Sequence, residues 1–295
     1  MQAAIMSYCL QNALPQEERT LENVLKLAAE EGIPNIEPYM GGRDDEDVRK
    51  AAESIRKLAD EFGVALPAYG SGTRLGEIGP NRQPNMDKLK EEVEACAIMG
   101  SKVVTFPVVD GQPVPPDQPK ASVGVRFERM LPVLVEQAQE LADHAATFNV
   151  ELALLNHCFL VYLGWHQKWL AKLTDRANFG ACVDPGNYLH YGFQDPVAVC
   201  QELAGLTKMV RAGDVRPTPE NEIVTGFKNN GEFRPWSATR FGDGAIDQET
   251  CYRNLAQGGY KGVVSLKTAG ASPDGPLAAV QYSWKALNDL LDRVS

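Results

Sequence analysis

The chain has 295 residues, of which 44% are hydrophobic and 23% are charged, a composition typical of a globular protein and not of a disordered chain. Its 29 basic and 39 acidic residues give a net charge of −10. This balance argues against a nucleic-acid partner, because phosphate backbones are bound by clusters of Lys and Arg. No apolar run approaches the roughly 18 residues that span a membrane. The N-terminus lacks the features of a signal peptide, so we predict a cytoplasmic protein with reduced thiols.

Short β-prone runs alternate along the chain with segments in which apolar residues recur at helical spacing. In chain order, the predicted strand and helix pairs are Ala3–Tyr8 and Thr20–Glu31, Pro34–Pro38 and Asp44–Phe62, Val64–Ala68 and Met86–Met99, Lys102–Val108 and Val123–Phe148, Val150–Leu155 and Trp165–Leu173, Phe179–Val183 and Pro196–Gly205, Met209–Ala212 and Asp247–Gln257, and Gly262–Leu266 and Leu277–Val294.

Strict alternation of eight strands and eight helices predicts a parallel sheet, and at this length a closed (β/α)8 TIM barrel. An open doubly wound sheet is the alternative. We predict a single domain over residues 1–295. Two connections, at about 107–120 and 213–246, exceed the usual loop length and follow strand C-termini, so they are expected to build or cover a pocket on the top face of the barrel.

Polar residues stand at the predicted strand ends, where the chemistry of a barrel is carried out. In order they include Tyr8, Glu37, Tyr69, Asn156, His157, Asp184, Arg211 and Lys267. Lys267 is the most unusual of them, because an unpaired ammonium is costly to bury at the end of an apolar strand. Asp184 could aim a carboxylate into a pocket or simply begin a turn before Pro-Gly.

The other candidates also have two interpretations each. Arg211 could bind substrate or form an ion pair with Asp184 or Asp214. Glu37 could contact a ligand, cap a helix or pair with Arg43. His157 is either catalytic or a core histidine.

Aromatic side chains on the presumed top face stack on sugars or pack loops. Trp165 favours packing, and Trp236 favours a ligand wall.

Six segments of the chain together resemble one family. They are GIPNIEPY, VELALLNH, FGACVDPGN, MVRAGDV, RFGDGAID and YKGVVSLK. In order and spacing they are similar to the xylose isomerase-like TIM barrels, the sugar phosphate isomerase/epimerase superfamily that includes the AP endonuclease branch. The resemblance implies a TIM barrel, a pocket at the strand C-termini, a polyhydroxylated substrate and a possible homo-oligomer.

The resemblance also implies a divalent metal held by Glu, Asp, His and Glu after the last four strands. The residues at those places are Leu155, Asp184, Arg211 and Lys267, so only Asp184 matches. Asn187 stands where many members of the family have a histidine. A hard cation prefers carboxylate or imidazole ligands, and Leu, Arg and Lys supply neither. We therefore expect no metal cofactor.

Three functions follow from these residues. In the first, the protein is a metal-independent isomerase, epimerase or lyase of keto-sugar-like substrates, in which Lys267 and Arg211 stabilise an enolate or oxyanion, or Lys267 forms a Schiff base. Asp184 and His157 complete the predicted catalytic set. The predicted substrate-binding residues are Glu37, Tyr69, Asn156, Asn187, Trp236 and Arg240.

In the second, the protein is a non-catalytic carbohydrate binder or partner subunit whose ion network replaced the metal. In the third, Mn, Co or Zn is held by shifted ligands drawn from Glu37, His157, Asp184 and Asp214.

Overall fold

The computed structural model describes residues 1–39, 47–112, 122–157, 160–218, 236–267 and 270–294. Its strands are β1 (Gln2–Met6), β2 (Ile36–Glu37), β3 (Ala68–Gly70), β4 (Val103–Phe106), β5 (Glu151–Leu155), β6 (Phe179–Val183), β7 (Thr207–Ala212), β8 (Asp214–Pro217), β9 (Trp236–Thr239) and β10 (Val263–Leu266). Its α-helices are α1 (Ser7–Gln11), α2 (Leu21–Glu30), α3 (Val48–Phe62), α4 (Arg82–Ile98), α5 (Val123–Ala146), α6 (Gly164–Thr174), α7 (Pro185–Gly192), α8 (Pro196–Leu203), α9 (Gln248–Gln257) and α10 (Pro276–Val294).

Eight of the strands form one parallel sheet in the order β2-β1-β10-β7-β6-β5-β4-β3. The two edge strands meet through isolated parallel bridges that join Asn35 to Ala65 and Tyr39 to Gly70. These bridges close the sheet into a barrel, so the (β/α)8 prediction is confirmed and the open sheet is not.

Successive side chains along each strand point to opposite faces of the sheet, as a pleated strand requires. One face fills the barrel with small and medium apolar residues, namely Ala4, Ala68, Val103, Ala153, Leu155, Cys182, Met209 and Val263. The other face belongs to a larger cluster that packs the sheet against the helices. An ion pair between Glu151 and Lys208, with Nζ and Oε1 2.8 Å apart, lies at the strand N-terminal end of β5 and β7.

The differences from the sequence-based predictions include two strand boundaries and one additional helix. The first strand ends at Met6, and α1 takes Tyr8 out of it. The third strand lies at Ala68–Gly70 and not at Val64–Ala68. A short helix, α7, follows β6 directly, because Asp184 caps it through the Asn187 N–H and Pro185 occupies its first turn.

The two long connections are only partly described. The second contains the antiparallel hairpin β8–β9, so it is not wholly loop. Its residues 219–235, and residues 113–121 of the first, lie outside the described residues.

The cysteines of the described residues lie in the protein interior. Within the described ranges five of them are buried and free, namely Cys9, Cys96, Cys182, Cys200 and Cys251. Cys158 lies outside those ranges. No helix in the described part of the chain has the length and apolarity to cross a membrane.

Gly180 in β6 leaves no room for a side chain. A Cβ there would lie 2.2 Å from the Leu206 carbonyl oxygen and 2.7 Å from Lys208 Cγ, whereas a Cβ on Gly205 meets nothing within 4 Å. We expect Gly180→Ala to lower the free energy of unfolding by about 2 kcal/mol through overpacking. Chemical denaturation is the measurement. The matched control Gly205→Ala should stay within about 0.5 kcal/mol of the wild type, and equal losses in both variants would contradict the packing described for β6.

Candidate active site

An ammonium–carboxylate pair lies at the C-terminal mouth of the barrel. Lys267, the residue after β10, places Nζ 2.6 Å from Asp184 Oδ2 and 2.7 Å from Asn187 Oδ1. The Asp184 side chain is fully buried, whereas 21% of the Lys267 side chain is exposed. The pair is therefore partly desolvated and still reachable from solvent. A charge in such partly desolvated surroundings acts more strongly than in bulk water.

A set of amide contacts holds Asp184 in place. Its Oδ1 accepts a hydrogen bond from the Asn187 N–H at 3.1 Å. Asn156 donates through Nδ2 to the Asp184 carbonyl at 2.9 Å, and its Oδ1 accepts from the Asp184 N–H at 3.2 Å. Asn187 Nδ2 donates to the Asn156 carbonyl at 2.8 Å. Asn156, predicted to bind substrate, is fully buried and braces Asp184 in the structure.

A second ion pair lies inside the barrel. Arg211 Nη2 on β7 is 2.5 Å from Glu37 Oε1 on β2 and 2.7 Å from Thr105 Oγ1 on β4. Both charged groups are buried, at 8% and 0% exposure of the side chains. Arg211 thus pairs with Glu37 and not with Asp184 or Asp214, and residue 43, the partner considered for Glu37, lies outside the described residues.

The buried pair is incompletely hydrogen-bonded. Within the described residues, Glu37 Oε2 and Arg211 Nε have no hydrogen-bond partner. Burial alone opposes the charge of Arg211, but the nearby Glu37 carboxylate outweighs it and raises the pKa of the guanidinium. The charge of Arg211 is therefore secured by its partner and not by solvent.

Gly70 of β3 makes the close approach possible. A Cβ at this position would lie 3.1 Å from Arg211 Nη2, 3.1 Å from Tyr39 Cδ2 and 3.3 Å from Glu37 Oε1. The absent side chain allows the guanidinium, the carboxylate and the Tyr39 ring to share one corner of the barrel.

His157 and Tyr8 flank the mouth. Burial and the cations Lys267, Arg211 and Arg74 lower the pKa of His157 to about 4, so its imidazole is neutral at pH 7. Burial raises the pKa of Tyr8, which therefore keeps its proton. His157 is partly buried and does not belong to either hydrophobic cluster.

Three predicted substrate-binding residues have other surroundings. Tyr69 is fully buried in the cluster between sheet and helices, because its neighbours Ala68 and Gly70 face the barrel interior. Its predicted ligand contact rested on a strand ending at residue 68, and it does not fit the observed register. Arg240 pairs with Asp243 at 2.6 Å and lies 4.1 Å from the centre of the Tyr282 ring. Trp236 opens β9 opposite Pro217 and is partly buried against the core.

The RFGDGAID segment binds Asp214. The carboxylate Oδ2 accepts hydrogen bonds from the N–H groups of Gly242 at 3.1 Å and Gly244 at 3.0 Å, and Oδ1 accepts from Val215 at 2.9 Å. The Asp214 carboxylate is thereby bound to backbone N–H groups and stabilises this turn.

The described residues at the mouth of the barrel do not suit a divalent metal. Leu155 faces the barrel interior and offers no ligand atom, and the Asp184 carboxylate already binds the Lys267 ammonium. Across the described ranges no three His, Cys, Asp or Glu side chains are grouped so that they could hold a metal ion. The shifted ligand set from Glu37, His157, Asp184 and Asp214 is therefore not assembled.

A family model and several solved structures are similar to this chain. The model of the family described as xylose isomerase-like TIM barrel matches residues 25–289. The chain belongs to the xylose isomerase-like TIM barrel family. None of the curated proteins matches it.

Solved structures share the fold of this family member at low sequence identity. The 3-keto-D-glucoside 4-epimerase YcjR of E. coli is 15% identical, covers 99% of both chains and has a TM-score of 0.69. AsbF of Bacillus anthracis, the probable 3-DHS dehydratase of petrobactin synthesis, is 12% identical over 98% of this chain and 99% of its own, also at 0.69. A xylose isomerase-like TIM barrel protein of Mycobacterium smegmatis, in complex with magnesium, is 16% identical over 98% and 97%, with a TM-score of 0.69.

Sequence reasoning did not select Thr105, Gly70 or Tyr39. Thr105 was detectable, because in a strand with Val103 inside, residue 105 faces inward as well. Gly70 and Tyr39 depend on how β2 and β3 meet, which the sequence of either strand does not contain.

We expect Arg211→Met to lower the free energy of unfolding by about 3–5 kcal/mol, because it leaves the buried Glu37 carboxylate unpaired. Denaturant titration measures the loss. The control Lys208→Met lies on the same strand, and its partner Glu151 is 46% exposed, so it should cost less than about 1 kcal/mol. The double variant Glu37→Met/Arg211→Met should recover part of the loss, and a sum of two independent losses would contradict the pairing.

His157 should titrate with a midpoint near pH 4 when its ring protons are followed by NMR. Because its pKa in the folded protein is below the unfolded value of about 6.5, the unfolded chain binds more protons between these values, and stability should fall as the pH drops from 6.5 towards 4. Lys267→Met should raise the midpoint by removing a neighbouring cation. An unchanged midpoint in that variant would place Lys267 away from His157.

Proposed function

We propose that the protein is a metal-independent isomerase, epimerase or lyase that acts on a carbonyl-bearing carbohydrate. The observation that carries the proposal is the position of Lys267. Its ammonium lies between Asp184 Oδ2 and Asn187 Oδ1 at the mouth of the barrel, with part of its side chain exposed. Two oxygens thus hold a side-chain cation where the family resemblance implies a metal ion.

A fixed cation supports chemistry next to a carbonyl. Removal of a proton from the carbon beside the carbonyl leaves an electron pair that moves onto the carbonyl oxygen and forms an enolate. The Lys267 ammonium stabilises that negative oxygen, the task that a Lewis-acid metal performs elsewhere. Return of the proton to the other carbon, while the hydroxyl proton moves to the former carbonyl oxygen, gives isomerisation. Return to the opposite face gives epimerisation. Departure of a β-hydroxyl, which takes up the abstracted proton and leaves as water, gives a dehydrated product.

The neighbouring residues have separate roles in this proposal. His157 is neutral at pH 7 and can accept the proton. Asp184 orients Lys267 and is a positioning residue. Arg211 is bound to Glu37 and Thr105 beneath the mouth, so it supports the floor of the site.

The donor set favours metal independence over the metal-dependent alternative. Asp184 is the one family ligand present, and its oxygens are taken by Lys267 and the Asn187 N–H. A divalent ion at this place would have to displace an ammonium.

A second candidate, a non-catalytic carbohydrate binder or partner subunit, is favoured by one observation. Each site cation already has its own acid, Lys267 with Asp184 and Arg211 with Glu37. Such internal pairing is expected of a structural network.

The cytoplasmic location and the homo-oligomer predicted from the sequence are retained as proposals.

Proton exchange tests the chemistry without knowledge of the product. In D2O the wild type should introduce deuterium beside the carbonyl of one or more members of a panel of D-xylulose, D-fructose and 3-keto-glucosides, as NMR detects. Lys267→Met should slow the exchange about 100- to 1,000-fold, the usual effect of removing one oxyanion-stabilising group. Exchange should persist after chelation, and elemental mass spectrometry should find no stoichiometric Mn, Co or Zn.

The control is Lys208→Met, which removes a partly buried, paired lysine from the opposite end of the barrel. It should exchange at the wild-type rate. Full exchange in Lys267→Met would remove the proposed role of Lys267. No exchange in the wild type would support the binder, and one bound metal per chain would restore the metal-dependent alternative. Borohydride reduction that adds substrate mass at Lys267 would replace charge stabilisation by a Schiff base.

A further inference from the structure

Two tyrosines form an aromatic pair on one rim of the barrel mouth. Tyr8 follows β1 and Tyr39 follows β2, two neighbouring strands of the sheet. Their ring centres are 6.3 Å apart with an interplanar angle of 86°. Tyr39 is 44% exposed and Tyr8 partly exposed, so the pair presents an aromatic surface to solvent.

The structure fixes the Tyr39 ring and does not leave it free on the surface. The Tyr39 N–H donates to Ser7 Oγ at 3.0 Å, and Tyr39 forms a parallel bridge with Gly70. Its Cδ2 approaches the position of the missing Gly70 Cβ to 3.1 Å, beside Arg211 Nη2. One edge of the ring therefore covers the Glu37–Arg211 pair, while part of it remains open.

The candidate catalytic residues Lys267 and His157 lie at different distances from the two tyrosines. β5 is four strands from β1 in either direction around the barrel, so His157, which follows β5, lies on the opposite rim. Its ring is 5.6 Å from that of Tyr191. The Lys267–Asp184 pair lies between the two rims, at the ends of β10 and β6.

We propose that Tyr8 and Tyr39 bind the C–H face of a carbohydrate in ring form, a pyranose or a cyclitol, with its hydroxyls directed to Lys267 and His157. This inference rests on the proposed function for the class of ligand. Aromatic side chains bury apolar surface at a low cost in side-chain entropy. A pyranose with equatorial hydroxyls has a flat C–H face that matches such a surface, and an open-chain polyol of the same carbons has none.

Saturation-transfer NMR on the full chain tests the assignment with two probes. Methyl β-D-glucopyranoside is locked in ring form, and sorbitol is the corresponding open chain. The ring C–H protons of the glucoside should receive at least fivefold more saturation than sorbitol. Tyr39→Phe should keep this difference, and Tyr39→Leu, which retains an apolar cover over the ion pair, should lower the glucoside signal at least fivefold.

The matched control is Trp169→Ala, which removes an aromatic side chain of similar exposure from α6. It should leave the glucoside signal unchanged. Equal saturation of the two probes, no saturation of either, or an unchanged signal in Tyr39→Leu would overturn the assignment. Thermal melting of each variant shows whether the barrel is intact. If Tyr39→Leu does not fold, Tyr8→Leu replaces it as the test, and this variant should lower the glucoside signal in a folded protein.

The outcome is independent of catalysis. A protein that binds the glucoside through Tyr39 but shows no Lys267-dependent proton exchange keeps this inference and loses the proposed function. Exchange without stacking gives the reverse result.

Discussion

The ion pair between Glu37 and Arg211 connects parts of the barrel that the backbone joins weakly. β2 has two residues and β3 has three, and the two strands meet through isolated bridges and not through a continuous ladder. The guanidinium on β7 reaches the carboxylate on β2 and the Thr105 hydroxyl on β4, so one side chain spans the interior on both sides of that seam. Because a buried charge without a partner costs several kcal/mol, any movement of β2 away from β7 is opposed.

The charges at the top of the barrel are arranged in two layers with different exposure. The lower layer, Glu37 and Arg211, is sealed from solvent, and the upper layer, Asp184 and Lys267, retains one accessible cation. The lower pair fixes the floor, and the amide contacts of Asn156 and Asn187 fix the upper carboxylate. The position of Lys267 therefore follows from backbone-anchored groups and not from a flexible surface contact.

The sequence was sufficient to predict the barrel and the residues at most strand ends. Alternating strand and helix patterns identify the eight units, and Asp184 and Lys267 end apolar strands whose boundaries are clear. The prediction for Tyr69 did not fit, because the run from residue 64 to 70 is apolar throughout and does not indicate where the pleat begins. The partner of Arg211 was also out of reach, since Glu37 lies 174 residues away and they meet only when the barrel closes. The hairpin β8–β9 was missed because its strands are short and joined by a long connection.

Asp184 makes one contact that is local in the sequence and one that is distant. It caps α7 through a contact only three residues away, whereas its bond to Lys267 links positions 83 residues apart. The helix cap can form while the chain is still open, but the ammonium arrives only after the last strand has inserted between β1 and β7. Every complete chain therefore carries the cation that pairs with Asp184, in a one-to-one ratio, on its last strand end.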